Sequence, residues 1–300
     1  MLVYAPGTIG FRPTRLLWFD RKGKQIGETG STGYYDTPKI SPDGRSLAVS
    51  IAGAGMHGVI NIFDLTTGLK RRLNFSNSFN VAPAWSADGK TIAFVSNRSG
   101  GIHVYQKQAD GAGSATPLFA DKFLQEHAGS PEWTSDGRYL VFRRSDQDAV
   151  FAMPLSGDRK LFPVLQNVRQ FSVSPNGKWI AYVAPSGEVD VSPFPNVTGT
   201  WQVSTGSGLG PRWRRDGKEI FYLSPDHQIM AAQVTDEGTK LSVGKVQSLF
   251  RANIATVAPS AAGDCDISPD GQKFVVVTPV EQKGSQPLTL VTNWPALLKK

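Results

Sequence analysis

The sequence predicts an all-β fold, a six-bladed β-propeller of four-stranded antiparallel blades. Three observations support it: one short turn phrase occurs six times, apolar residues alternate with a period of two around each turn, and further short strands follow each copy. Successive copies are separated by 45, 48, 40, 40 and 54 residues. A repeat of this length indicates an array in which each unit buries its apolar face against the next.

The repeated phrase reads Ser-Pro-Asp-Gly or a close variant, which is typical of a tight turn. Proline presets φ, aspartate accepts hydrogen bonds from nearby amides, and glycine adopts a positive φ. Copy four carries Asn176, which keeps the acceptor oxygen and lacks the charge. We therefore interpret these positions as structural turn residues rather than as catalytic carboxylates. They are Asp43, Asp88, Asp136, Asn176, Asp216 and Asp270.

Bulky β-forming residues flank every turn and predict the two strands of a hairpin. Three residues before the turn position stand Ile40, Trp85, Trp133, Val173, Trp213 and Ile267. Four residues after it stand Leu47, Ile92, Leu140, Ile180, Ile220 and Phe274. The period of two excludes helical repeats. The strand before each turn is expected to be the innermost strand of its blade.

Two further strands complete each predicted blade. The third strands are Val59–Asp64, Ile102–Gln106, Val150–Pro154, Glu188–Pro193, Gln228–Val234 and Leu288–Thr292. The weaker fourth strands include Lys70–Asn74, Thr116–Phe119, Lys160–Leu165, Trp201–Ser204 and Ser248–Phe250.

The two ends of the chain are expected to close the ring. The last copy lacks a clear fourth strand and the N-terminal region has surplus strands, so Gln25–Glu28 should complete the blade begun by Gly263–Thr292. Pairing the ends in one sheet hides edges that would promote aggregation. Residues 1–23 are then N-terminal strands, and residues 24–300 form one propeller domain. The alternative is seven blades, with residues 1–23 ending a preceding repeat.

Composition narrows the functional classes. The net charge is +7, but basic residues follow five of the six turns and so spread around one rim. Nucleic acid is therefore an unfavoured partner, because its sites concentrate basic and aromatic residues in a patch. No apolar run approaches the roughly 18 residues of a membrane span, and no signal peptide is visible. A single cysteine, Cys265, excludes an intramolecular disulfide and is expected to be a buried thiol.

The sequence contains no recognisable catalytic motif. Gly53-Ala-Gly55-Met-His-Gly58 has the spelling of a dinucleotide-binding loop, but it lies between two predicted strands rather than before a helix. His57, His127 and His227 fall in predicted loops without ligand spacing. We expect no metal site and no cofactor.

Charged residues mark the predicted channel wall. Immediately before the bulky residue of each innermost strand stand Lys39, Ala84, Glu132, Ser172, Arg212 and Asp266. Four of the six are charged, two of each sign, so they either pair across blade borders or hold an ionic ligand. Propellers generally bind at the mouth of the channel where the loops entering the innermost strands meet the loops joining the second and third strands. Tyr35, His127 and Arg169, in loops entering innermost strands, are further candidates to contact a protein segment or small ligand.

Copies two, three and five read Pro83-Ala-Trp85-Ser-Ala-Asp88-Gly-Lys, Pro131-Glu-Trp133 and Pro211-Arg-Trp213-Arg-Arg-Asp216-Gly-Lys. They resemble the WD40-like repeats (PD40) of TolB-type β-propellers, in which Trp-Ser-Pro-Asp-Gly-Lys precedes a β-strand. The resemblance covers residues 30–294 and is specific for the class of repeat. It implies a propeller that binds a partner.

Other stretches are Leu16-Leu-Trp-Phe-Asp20, Pro193-Phe-Pro195, Trp201-Gln-Val-Ser-Thr205-Gly206 and Leu288-Thr-Leu-Val-Thr-Asn-Trp294. They are similar to the C-terminal propeller region of bacterial membrane-anchored serine/threonine protein kinases. That resemblance implies a sensing or protein-binding module of a larger bacterial protein, located in the periplasm. Neither the His-Arg-Asp nor the Asp-Phe-Gly motif of kinases occurs in this sequence, so phosphotransfer is not implied.

A second function class stays open. Propellers also occur in hydrolases and metal-dependent lyases, and propellers of this general kind precede the catalytic domain of prolyl-oligopeptidase-like peptidases. The alternative to a non-catalytic binding module is therefore the propeller domain of such an enzyme. A stoichiometric bound metal ion would favour the alternative.

Overall fold

Six four-stranded antiparallel sheets contain nearly all strands among the described residues, and each sheet is one blade. The computed structural model describes residues 2–4, 12–52, 58–75, 78–118, 128–144, 146–255, 264–280 and 289–291. Its elements are all strands, so the predicted all-β, six-bladed fold is confirmed. In these ranges there is no apolar helix long enough to cross a membrane.

The strands are numbered along the chain, and three of them precede the first complete blade. These are β1 (Leu2–Tyr4), β2 (Thr14–Asp20) and β3 (Gln25–Gly33). Blade 1 consists of β4 (Tyr35–Ile40), β5 (Ser46–Ala52), β6 (Gly58–Asp64) and β7 (Lys70–Arg72). Blade 2 consists of β8 (Asn80–Trp85), β9 (Thr91–Ser96), β10 (His103–Gln108) and β11 (Thr116–Pro117). Blade 3 consists of β12 (Ala128–Trp133), β13 (Tyr139–Arg144), β14 (Ala149–Pro154) and β15 (Phe162–Leu165).

The remaining strands complete the ring. Blade 4 consists of β16 (Phe171–Val173), β17 (Trp179–Val183), β18 (Glu188–Pro193) and β19 (Trp201–Ser207). Blade 5 consists of β20 (Leu209–Trp213), β21 (Glu219–Leu223), β22 (Gln228–Asp236) and β23 (Leu241–Arg251). The last strands are β24 (Cys265–Ile267), β25 (Lys273–Pro279) and β26 (Thr289–Val291).

Blade 6 joins the two ends of the chain in one sheet. Its strand order is β24-β25-β2-β3, so C-terminal strands form the inner half and N-terminal strands the outer half. β2 pairs with β25 over seven residues, from Thr14 opposite Pro279 to Asp20 opposite Lys273. The predicted closure by an N-terminal strand is confirmed. The described residues form no seventh four-stranded sheet, so six blades are established over seven.

The third strand of blade 6 differs from the prediction. The sequence predicts Leu288–Thr292 for this place, but β2 occupies it, and β26 instead pairs with β1 in a separate two-stranded sheet. The physical reason is the length and burial of the pairing. β25 is buried on both faces, and β2 offers it a full seven-residue partner with Leu16 completely buried. The division of the chain at residue 23 stays a prediction, although residues 14–20 lie in blade 6.

The hydrophobic core lies between the blades. Each of the six blade borders contains an apolar cluster built from both neighbouring blades. The second strand of a blade contributes to both of its borders, because side chains alternate between the two faces of a strand. In blade 1, Leu47 and Val49 pack toward blade 6, whereas Ala48 packs toward blade 2. All three side chains are fully buried. Each blade is therefore fixed by its neighbours, which places the innermost strands around a common axis.

The six turns repeat one geometry. Their glycines have φ between 66° and 74°, a range that favours glycine. Asp43 Oδ1 accepts hydrogen bonds from the Ser41 hydroxyl at 2.6 Å and from the amide two residues on. Asn176 Oδ1 accepts the equivalent bond from the Ser174 hydroxyl at 2.7 Å. The amide thus makes the same contacts as the carboxylate.

Candidate functional site

All six predicted wall residues line one cavity on the propeller axis. The cavity has a volume of about 200 Å³, and it opens toward the turns, because Pro42, Ser135 and Pro175 also line it. We call this space the channel cavity and its opening the turn-side mouth. This mouth lies at the end of the innermost strands opposite the loops that enter them, where the sequence predicts the binding mouth. Side chains alternate along a strand, so the residue before each bulky one faces the axis. The wall residues are Lys39, Ala84, Glu132, Ser172, Arg212 and Asp266.

A β-bulge precedes the wall residue in blades 1, 2, 3 and 5, where the pairing register shifts within the innermost strand. One residue of each bulge has a left-handed backbone with φ between 47° and 57°: Thr37, Ala82, Ser130 and Gly210. Bulges bend a strand and redirect a side chain. A bulge of the same kind therefore orients the side chain of the wall residue in four of the six blades.

The two wall carboxylates bind backbone amides of the next blade. Glu132 Oε1 accepts from the Val173 amide at 2.8 Å and from the Ser172 hydroxyl at 3.2 Å. Asp266 Oδ2 accepts from the Ile40 amide at 2.7 Å. The pKa of Glu132 is raised, because the effect of burial exceeds the opposing effects of the neighbouring cations and of these hydrogen bonds. Both acids therefore tie one blade to the next.

Tryptophans above the wall make the reciprocal bonds to the preceding blade. Trp85 Nε1 donates to the Lys39 carbonyl at 2.9 Å, and Trp213 Nε1 donates to the Ser172 carbonyl at 3.1 Å. Both indoles also line the channel cavity. Two of the three repeated tryptophans thus tie their blade to the preceding one, whereas Trp133 Nε1 has no hydrogen-bond partner among the described residues.

The wall cations are held differently from the acids. Arg212 Nη1 donates to the Pro211 carbonyl at 2.9 Å, and its Nε lies 3.9 Å from Asp266 Oδ1. Lys39 Nζ has no hydrogen-bond or ion-pair partner among the described residues. Burial lowers the pKa of Lys39 to about 8, helped by Arg212 and opposed by the carboxylates of Asp266 and Glu132. Ion pairing between wall residues, one of the two predicted arrangements, is limited to the long Arg212–Asp266 contact in the described part of the chain.

Arg215 belongs to the site although the sequence interpretation did not select it. It lies in the turn of blade 5 and lines the channel cavity. It also lines a groove on the opposite side of the ring, together with Asp43 of blade 1 and Asp88 of blade 2. Its side chain therefore extends across the turn-side mouth. A signal was present in the sequence, because the other five turns carry proline, alanine or serine at this position.

The other three predicted site residues lie away from the channel cavity. Tyr35 is only 3% exposed and packs against Phe63 in the core between blades 6 and 1. Arg169 is exposed and forms an ion pair with Asp148 at 2.9 Å. His127 lies outside the described residues. A contact of these residues with a ligand stays a prediction, which the burial of Tyr35 does not favour.

The described ranges of the chain contain neither a cluster of metal-ligating side chains nor a thiol of lowered pKa. These ranges contain no group of three or more histidine, cysteine, aspartate or glutamate side chains that could hold a metal ion. His57, like His127, lies outside them. Cys265 is on β24, as predicted, and burial raises the pKa of its thiol to about 11. A thiol with this pKa is a poor nucleophile at neutral pH.

Comparison with known protein families identifies the class of propeller. Residues 21–205 match the family PD40, the TolB beta propeller domain. The protein belongs to this family. The match spans more than half of the chain and includes the turns of blades 1 to 4. The TolB-type repeat predicted from the tryptophan and turn motifs is therefore confirmed.

Relatives of this TolB-type propeller share modest sequence identity with it. An uncharacterized protein of Agrobacterium fabrum is 24% identical over 211 residues, which cover 61% of this chain and 68% of the relative. The Tol-Pal system protein TolB of Francisella tularensis is 30% identical over 121 residues, or 40% of this chain. That match spans 27% of the Francisella protein.

Solved structures share the fold of this TolB-type propeller. A protein from Agrobacterium tumefaciens described as TolB superposes with a TM-score of 0.65 and 14% identity, covering 91% of this chain and all of the other. TolB from Acinetobacter baumannii gives a TM-score of 0.59 and 16% identity, covering 91% of this chain and 65% of the other. Identities this low establish a common fold and nothing finer.

Proposed function

We propose that the protein is a non-catalytic binding module that recognises a segment of a partner protein at the turn-side mouth of its channel. One observation carries the proposal: all six blades contribute to a single charged cavity that opens at one face. Binding sites are typically concave, with a few convergent polar groups. Membership of the TolB family supports a binding role.

The size of the cavity bears on what it would recognise. A volume of about 200 Å³ is smaller than the pockets that enclose drug-sized ligands. It suits one side chain or chain end. The rest of the partner would then lie over the rim formed by the turns.

The cellular context is part of the same proposal. A relative named as a component of the Tol-Pal system supports a role in a protein assembly of a bacterium. We infer an extracytoplasmic, periplasmic location and a place in a larger bacterial protein. The likeness to the propellers of membrane-anchored kinases leads to a test: the coding sequence upstream should encode a kinase domain and a membrane helix. A free-standing reading frame there would remove the kinase connection.

A position-specific crosslinking experiment tests the proposed function. A photoreactive amino acid replaces Ser135, which lines the channel cavity, or in a control Lys160, which is exposed on the same blade outside the cavity. Illumination in an envelope extract of the source bacterium should crosslink one defined protein at position 135 and not at position 160. Equal yields at both positions, or no product at position 135, would contradict the proposal.

The non-catalytic character has its own test. A structure described as a 6-phosphogluconolactonase, from Bacteroides uniformis, shares the fold at a TM-score of 0.54 and 15% identity. Metal analysis of the purified protein should find no stoichiometric ion. One bound ion per chain would favour the enzyme alternative.

A further inference from the structure

We propose that the turn-side mouth is a carboxylate-binding site, in which one carboxylate is held between the ammonium of Lys39 and the guanidinium of Arg215. The ligand would be an acidic side chain or chain end of a protein segment, or a free small carboxylic acid. Where the carboxylate belongs to a protein segment, the inference rests on the proposed function, because it names the chemical group that the partner presents.

The balance of charge at the channel cavity favours an anion. Its lining contains three cations, Lys39, Arg212 and Arg215, and two carboxylates, Glu132 and Asp266. One positive charge is therefore in excess. A single bound carboxylate would neutralise it.

The carboxylates of the wall are already engaged, whereas two of the cations are not. Glu132 and Asp266 each accept a backbone amide of the next blade, at 2.8 Å and 2.7 Å. Neither Lys39 Nζ nor the Arg215 guanidinium has a hydrogen bond or ion pair within the described residues. Both groups face the channel cavity or its mouth, so both are available to an anion that enters there. Burial also lowers the pKa of Lys39 to about 8, a value at which most molecules remain protonated at neutral pH.

Arg215 is placed to close the site from above. It extends from blade 5 across the mouth to the groove lined by Asp43 and Asp88. No other turn of the sequence has a charged residue at this position. The planar guanidinium presents paired donors that match the two oxygens of a carboxylate. Lys39 would bind from the wall, so a carboxylate entering the mouth would meet both groups.

A binding experiment with defined probes tests the site on the whole chain. The probes are acetate, the capped tripeptide N-acetyl-Gly-Glu-Gly-amide and its Gln counterpart. The signals are the indole N–H resonances of Trp85, Trp133 and Trp213, which line the channel cavity. The proposal expects saturable shifts with the Glu peptide or acetate, and none with the Gln peptide.

Matched variants assign the effect to the two cations. Arg215→Gln and Lys39→Met should each weaken carboxylate binding about tenfold or more, because each removes a charge-assisted hydrogen bond. Arg45→Gln removes the same charge from an exposed turn position that does not line the channel cavity, and it should leave binding unchanged. Arg215 is exposed, so its replacement keeps the fold even if Lys39→Met does not.

The outcomes distinguish a protein segment from a free acid as the source of the carboxylate. They also distinguish failure of this inference from failure of the proposed function. Binding of the Glu peptide without acetate supports a protein segment as the source, and equal binding of both supports a free acid as sufficient. Binding of the Gln peptide as tight as that of the Glu peptide, an equal loss in Arg45→Gln, or no shift with any probe would overturn the site. Crosslinking at position 135 that survives Arg215→Gln unchanged would overturn this inference and leave the proposed function in place.

Discussion

Arg21 and Glu219 form an ion pair across 198 positions of sequence. Arg21 lies in the turn between β2 and β3 of blade 6, and its Nη1 donates to Glu219 Oε2 at 3.0 Å. Arg214 Nη1 donates to the same oxygen at 2.6 Å. The Glu219 side chain is 6% exposed, so one buried carboxylate holds the N-terminal strands against blade 5.

The Glu219→Gln variant should therefore destabilise the ring. Removing the charge leaves two guanidinium groups without their shared partner, and breaking a buried ion pair in this way costs about 3 kcal/mol. The free energy of unfolding, measured in urea, should fall by that order. Glu237→Gln, which breaks the exposed pair with Lys240, serves as the control and should have a much smaller effect, because solvent screens an exposed ion pair. Equal effects of the two variants would show that Glu219 does not clamp the ring.

Lys39 should make stability rise with pH. Because burial lowers its folded-state pKa to about 8, the unfolded chain binds more protons than the folded chain above that pH. Relative to Lys39→Met, the free energy of unfolding should rise by about 1 kcal/mol from about pH 8 to about pH 9. The groups facing Lys39 are Arg212, Asp266, Glu132, Cys265 and, at the mouth, Arg215. They are present in both chains, so the difference reports on Lys39, and parallel pH profiles would contradict its burial as a cation.

The turn carboxylates should behave as replaceable acceptors. Asp88→Asn keeps the oxygen that accepts from Ser86 and should change the free energy of unfolding by no more than about 0.5 kcal/mol, as Asn176 indicates, whereas Asp88→Ala should cost about 1 kcal/mol. The hydrogen bond from Ser86 lowers the pKa of Asp88, so its contribution is present at neutral pH and is lost as the pH falls through the folded-state value. Asp88→Asn should flatten that part of the acid unfolding curve. A loss in Asp88→Asn as large as in Asp88→Ala would assign a role to the charge itself.

The bulge of blade 2 should be more stable with glycine. Ala82 has φ of 51°, a left-handed conformation that is unfavourable for a residue with a Cβ. Relief of that strain exceeds the entropic penalty of glycine, so Ala82→Gly should raise the free energy of unfolding by about 0.5 kcal/mol. Ala84→Gly, two residues on in the same strand, lacks the positive φ and should lower it by about 1 kcal/mol. Thermal unfolding of both variants measures these changes. A change in the free energy of unfolding of the same sign in both variants would argue against strain at Ala82.

Much of the candidate site was predictable, because equivalent residues stand at the same position in every copy of the repeat. Counting one residue back from the bulky position placed Lys39, Glu132, Arg212 and Asp266 on one wall, since side chains alternate along every innermost strand. Tyr35 is a candidate on another ground, its place in a predicted loop that enters an innermost strand, yet it packs in the core between blades 6 and 1. Its hydroxyl donates to the Ser31 carbonyl, a contact with a strand of another blade that the repeat does not encode.

The sequence by itself determined the blade, because a blade depends on neighbours a few residues apart. Proline, aspartate and glycine set the turn, and a period of two sets both faces of the hairpin. Tertiary structure decided which N-terminal strands complete blade 6 and that Asp266 binds the Ile40 amide, 226 positions away. It also decided that Arg215 reaches across the mouth. These features arise only when six blades pack around one axis, because closing the ring brings distant residues within bonding distance.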